Sequence, residues 1–149
     1  RMVFGCHGHY SAAKWAMEGM SEALAFETAE FNIRVALVEP GSVPTPAWEK
    51  GTPPPEDTKY GNSLQRLMDW ATHTMKTPAT TLQVAEAVAH AIESDTPHFR
   101  YPVGVDAVED IAGRASVTDD EWVEMNRLQG DDFARRWKEV IGVDYFGAS

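Results

Sequence analysis

Ile33-Arg34-Val35-Ala36-Leu37-Val38-Glu39 is β-rich and nearly unbroken in apolar character until Pro40-Gly41 stops it. A run of this kind predicts a buried strand of a parallel sheet, covered on both faces. The residues before it form a helical pattern from Tyr10 to Phe31, in which Ala12, Ala16, Gly19 and Ala23 make a stripe of small side chains at i, i+4, i+7 and i+11. Ala13, Met17, Met20 and Leu24 lie beside that stripe. The apolar arc is wide enough to predict a helix covered on more than one side, with Glu18, Glu22 and Glu30 left to solvent or partners.

The head of the same helix carries chemistry. Tyr10 and Lys14 are four residues apart, so on a helix they share one face with about 6 Å between their Cβ atoms. A nearby ammonium favours phenolate over phenol and draws the tyrosine down from its ordinary pKa of ~10, toward use as a general acid or base. A pair at this spacing also arises on helices where it does nothing. At the far end of the strand, ligands of open α/β sheets collect beyond the carboxyl ends, which places one at Gly41 to Thr45. A proline-glycine turn without a ligand is the other reading of that segment.

Taken together, Tyr10-x-x-x-Lys14, its helix, and a strand ending in Pro40-Gly41-Ser42-Val43-Pro44-Thr45 resemble the classical short-chain dehydrogenase/reductase family. The resemblance implies an α/β fold, the C-terminal half of a Rossmann-like doubly wound parallel sheet with extra C-terminal helices. The 149 residues would form a single or partial domain, with 1–104 the catalytic half and 105–149 a helical extension. It further implies an oxidoreductase that moves a hydride between NAD or NADP and an alcohol or carbonyl. Tyr10 would exchange a proton with the substrate oxygen, and Lys14 would lower the tyrosine pKa and hold the nicotinamide ribose. Pro40 and Gly41 would line the ring, while the backbone around Val43 and the hydroxyl of Thr45 hold the carboxamide. In the family this helix often packs against its own copy, which implies a dimer or tetramer.

The family's opening strand, its Gly-x-x-x-Gly-x-Gly turn, its Asn-Asn-Ala-Gly segment and a serine about a dozen residues before the tyrosine have no counterpart here. The chain is therefore expected to be the C-terminal half of a longer dehydrogenase, with an open sheet edge that leaves it marginal or associating. The competing expectation is an inactive, truncated relative that serves as a folding or oligomerisation module. A third is a non-redox relative holding another ligand in the cofactor's place, against which Lys14 argues.

A net charge of −10 disfavours nucleic acid and anionic membranes as partners. The densest basic stretch, Arg135-Arg136-Trp137-Lys138, reads as a solvated helix face. No apolar run approaches the ~18 residues of a membrane span, and one cysteine, Cys6, leaves a cytoplasmic setting as the default. Cys6, His7 and His9 have metal-ligand chemistry but no second cluster at matching spacing, so a glycine-broken loop, with Gly5 and Gly8 at positive φ, is the plainer account.

Residues 44–61 are rich in proline and glycine and predict a long loop able to cover a substrate. Asn62 is expected to cap a helix whose inner face is Leu64, Leu67, Met68, Ala71 and Met75, as packing or as pocket wall. Thr80 with Gln83 reads as a capping box for a helix that turns Val84, Ala85, Val88, Ala89 and Ile92 inward and ends near Asp95. His98 to Gly104 is strand-like, with Pro102 favouring the sheet edge or the strand's end. The final third is expected to be helical and peripheral. There Thr118 with Glu121 makes a second capping box, and Trp122, Met125 and Leu128 share a face. Gly130 interrupts before Phe133, Trp137, Val140 and Ile141.

Overall fold

A computed structural model describes residues 2–50 and 58–147. The architecture is α/β: helix α1 (Gly8–Thr28), strand β1 (Leu37–Pro40), helices α2 (Gly61–Thr74) and α3 (Thr81–Glu93), strand β2 (Arg100–Val103), then α4 (Val105–Ala115), α5 (Asp119–Met125) and α6 (Gly130–Ile141). The two strands pair in parallel, with Leu37 opposite Arg100 and Pro40 opposite Val103. Leu37 N–H donates to Phe99 O and Gly41 N–H to Val103 O. The ladder thus uses alternate residues of β2 and leaves Pro102, which has no N–H, out of it.

Each boundary has a local cause. A single 3₁₀ turn, Ala29–Phe31, ends the first helical run, and Asn32 closes it in the left-handed conformation at φ 56° with its N–H on Ala29 O. Both predicted capping boxes form: Thr80 exchanges bonds with Gln83, and Thr118 with Glu121. Asn62, in contrast, lies inside α2, whose N-cap is Tyr60, and its amide donates instead to Gln129 Oε1 at 2.7 Å. Within the predicted loop, Pro46–Lys50 forms a 3₁₀ helix. Its prolines at 53–55 lie outside the described residues. The left-handed residue ahead of α1 is Cys6, at φ 64°, rather than either neighbouring glycine.

Burial departs from the sequence pattern in one systematic way. Strand β1 is shorter than Ile33–Glu39 and only partly covered, and α1 buries no side chain among the described residues. Met20 and Phe26 of α1 remain mostly exposed. In α3 the half-covered positions are Val84, Ala87 and Ala91, while Val88 and Ile92 face an open groove of about 970 Å³ between α1 and α3. In α2 the predicted positions Leu64, Leu67, Ala71 and Met75 are partly covered and Met68 is exposed, while Ser63, Arg66 and Trp70 are also partly covered and Thr74 is buried.

The final third, expected at the periphery, holds the core. Trp122, Met125, Phe133, Trp137, Ile141 and Tyr145 form one buried cluster against which Met2, Phe4 and Trp70 pack. Trp137, 1% exposed, lies at its centre, with the rings of Phe4, Trp122, Phe133 and Phe146 5.2–5.7 Å away. Helix α4 crosses α6 at Gly113, where a Cβ would fall 2.6 Å from Ile141 Cδ1 and 2.7 Å from Val140 O. Only glycine permits that approach. No helix among the described residues is long and apolar enough to cross a membrane.

Candidate active site

Two groups of predicted site residues occupy two elements, and a single arginine joins them. On α1, Lys14 Nζ lies 5.6 Å from the centroid of the Tyr10 ring, as four-residue helical spacing requires. His7 stacks on the other residue of that pair, its ring 4.6 Å from that of Tyr10 and nearly parallel. Burial and then the neighbouring His9 lower the His7 pKa from its ordinary value. That places His7 beside the phenol as a neutral ring near pH 7. No cluster of metal-ligating side chains occurs among the described residues.

One further turn along the same face of α1 stands Glu18. It is not left to solvent: it pairs with Arg100 of β2, which also donates to Glu39 Oε1 at 3.0 Å. All three side chains are largely covered, so the pairing is screened less than a surface ion pair. Burial works against the charge of Arg100, but its bonds to Glu18 and Glu39 outweigh that and raise its pKa. Glu39 immediately precedes Pro40-Gly41, so Arg100 links the Tyr10–Lys14 helix to the segment that ends β1.

That segment is held from several sides. Ser42, 1% exposed, donates its N–H to Asp106 Oδ2 at 2.6 Å, accepts at its carbonyl from Ala79 N–H at 2.9 Å, and shares a 2.6 Å hydroxyl contact with Thr74 Oγ1. Gly41 faces the Asp106 carboxylate so closely that a Cβ would sit 2.1 Å from Oδ1. Val43 O accepts from the Trp48 indole at 2.8 Å, and Thr45 O accepts from Trp48 N–H at 3.2 Å, which starts the 3₁₀ helix. Pro40 is exposed, and Gly41, Val43 and Thr45 are partly covered.

One turn further along α4, Asp110 is buried beside Asp106 and accepts from the Trp70 indole at 2.8 Å. Burial, the largest cause, pushes its carboxyl up to about 7, with the bond from the Trp70 indole opposing. Burial, then the charge of Asp110, raises the Tyr145 phenol above its ordinary range. A carboxyl at about 7 when folded and 3.8 when unfolded keeps a proton on folding that the unfolded chain has lost, so its contribution is full below about pH 4 and falls as pH rises through about 7. The slope approaches ~1.4 kcal/mol per pH unit. Asp110→Asn is expected to remove this fall. The difference in urea midpoint between variant and wild type should therefore grow from pH 4 to pH 8, and a constant difference would contradict the assignment.

The pairs Tyr10–Lys14 and Pro40–Thr45 are legible in sequence because each is contiguous or one helical turn apart. Arg100, Asp106, Thr74 and Trp70 were not singled out from it, since their partners lie 32 to 82 residues away. The one signal present was an acidic residue in the first turn of a helix that starts directly after a glycine-terminated strand.

The family model described as short chain dehydrogenase matches residues 1–55. An uncharacterized oxidoreductase of Schizosaccharomyces pombe is 30% identical over 129 residues, which cover 87% of this chain and 55% of that protein. The 17-beta-hydroxysteroid dehydrogenase type 6 of Mus musculus is 30% identical over 122 residues, covering 70% of this chain and 37% of its own length. Among solved structures, a short-chain dehydrogenase from Streptomyces avermitilis superposes with a TM-score of 0.67 at 29% identity, over 85% of this chain and 46% of that one. The chain spans about half the length, or less, of the relatives it matches.

Proposed function

We propose that this chain, a member of the short-chain dehydrogenase family, supplies the proton-transfer and nicotinamide-facing residues of an NAD- or NADP-dependent oxidoreductase acting on an alcohol or carbonyl. The observation that carries the reading is the linked geometry just described: a lysine over a half-exposed tyrosine on α1, tied through Glu18, Arg100 and Glu39 to the loop beyond β1. A bound nicotinamide supplies or accepts the hydride. Tyr10 gives its phenolic proton to the carbonyl oxygen in reduction and recovers it in oxidation, with Lys14 beside it to hold the nicotinamide ribose. Pro40 to Thr45 orients the ring at the carboxyl end of β1, where ligands of such sheets collect. The hydroxysteroid dehydrogenase among the relatives supports an apolar substrate.

The residues present fit the nicotinamide end of such a cofactor and not its pyrophosphate end, for which no glycine-rich turn exists in the sequence. The test is calorimetric titration of NADH and NADPH into this chain and into the longest polypeptide of its reading frame. Saturable binding by either, weakened by Lys14→Met, is expected. Absence of binding to both would sink the reading.

The exposed apolar side chains of α1, among them Trp15, Met17, Met20, Leu24 and Phe26, favour a second reading as an inactive oligomerisation module whose α1 is covered by another copy. A stable oligomer that binds neither cofactor would select it. The setting we propose is cytoplasmic, consistent with the reducing environment a lone exposed Cys6 tolerates.

A further inference from the structure

We propose that Asp106 is a positioning residue for the Pro40–Thr45 loop, fixing the conformation in which the loop faces the nicotinamide; this rests on the function proposed above. The placement follows from topology. Register brings Pro40 opposite Val103, so the residues that follow the two strands emerge side by side. Gly104, at φ 100°, turns the chain directly into α4, and Asp106 falls in the first turn of that helix. Its carboxylate reaches across to the loop and takes the Ser42 N–H at 2.6 Å, a charge-assisted bond of the stronger kind. The helix N-terminus beneath it favours the negative charge.

Both glycines exist for this carboxylate: a Cβ on Gly41 would lie 2.1 Å from Oδ1, and one on Gly104 would lie 2.7 Å from it. Asp106 is 6% exposed, and Oδ1 has no hydrogen-bond partner among the described residues. A buried acceptor left half used is costly as a stabilising device alone. Its geometry is explained by the one bond it does make. Ser42 is thereby fixed at N–H by Asp106, at carbonyl by Ala79 and at hydroxyl by Thr74, so the backbone direction of Val43 and Thr45 is set before any ligand arrives.

The experiment combines amide hydrogen exchange with cofactor titration on wild type, Asp106→Ala and Asp106→Asn. Asp106→Ala should speed exchange at Ser42, Val43 and Thr45 by about tenfold or more and weaken NADH or NADPH binding by a similar factor. Asp106→Asn keeps an acceptor for Ser42 and should recover most of both. If the alanine variant does not fold, Asp106→Asn still carries the test through a smaller increase confined to the same amides. Exchange that is unchanged at the loop, or raised evenly over the chain, overturns the proposal. Exchange raised only at the loop, in a protein that binds neither cofactor even as wild type, supports the clamp and sinks the nicotinamide reading instead.

Discussion

Tyr10→Phe is expected to lower kcat by about 10²–10⁴-fold in an active enzyme containing this chain, while cofactor affinity and thermal stability stay close to wild type. The substitution removes one oxygen and little else. The His7 stack and the Lys14 contact involve the ring, which phenylalanine retains, and the ring is half exposed, so no core contact is lost. What disappears is the only group in the proposal that can pass a proton to the carbonyl oxygen. A fall in kcat without a change in cofactor Kd places the loss in the chemical step. Turnover retained in Tyr10→Phe would take Tyr10 out of the chemistry and leave α1 a structural helix.

Trp137→Ala is expected to cost about 3–5 kcal/mol, a large share of the 5–15 kcal/mol that holds a domain of this size. Trp137 is 1% exposed and meets Phe4, Trp122, Phe133, Tyr145 and Phe146. Removing the indole leaves a cavity bounded by rings, and helices pinned at Gly113 cannot simply slide to close it. Urea unfolding followed by far-ultraviolet circular dichroism measures the loss. A cost below about 1 kcal/mol would show that this cluster is not what stabilises the chain.

These two residues mark where sequence reasoning succeeds and where it runs out. Tyr10 and Lys14 could be paired because a helix fixes the relation between positions four apart, whatever surrounds it. The capping boxes at Thr80 and Thr118 formed for the same reason, since each is complete within four residues. Trp137 was placed on the correct helical face but given a peripheral role. Periodicity says which side of a helix is apolar and not how much protein lies against it. The converse error occurred at α1 and β1, where apolar arcs predicted cover on two sides and the described residues provide little. Asp106 and Arg100 were missed outright, because a carboxylate has no distinguishing mark in sequence until the fold brings a distant N–H or ion pair to it. The resemblance to the short-chain dehydrogenase family was legible because its motifs are local, as the Tyr10–Lys14 pair and the proline-glycine stop both are.

The indole of Trp48 donates to Val43 O, inside the loop that Asp106 holds. Trp48 is partly solvent-exposed, whereas Trp122 and Trp137 are sealed among other rings. Of the chain's five tryptophans, Trp48 and the sealed pair are therefore optical reporters of different kinds, read separately once exposed Trp15 and partly covered Trp70 are replaced by phenylalanine. Emission from the sealed indoles follows the integrity of the core and should shift only when the chain unfolds. Emission from Trp48 follows the polarity and occupancy of the loop, and it falls in the band where a reduced nicotinamide absorbs. A ligand arriving at Val43 would thus announce itself through the indole bonded to that residue's carbonyl.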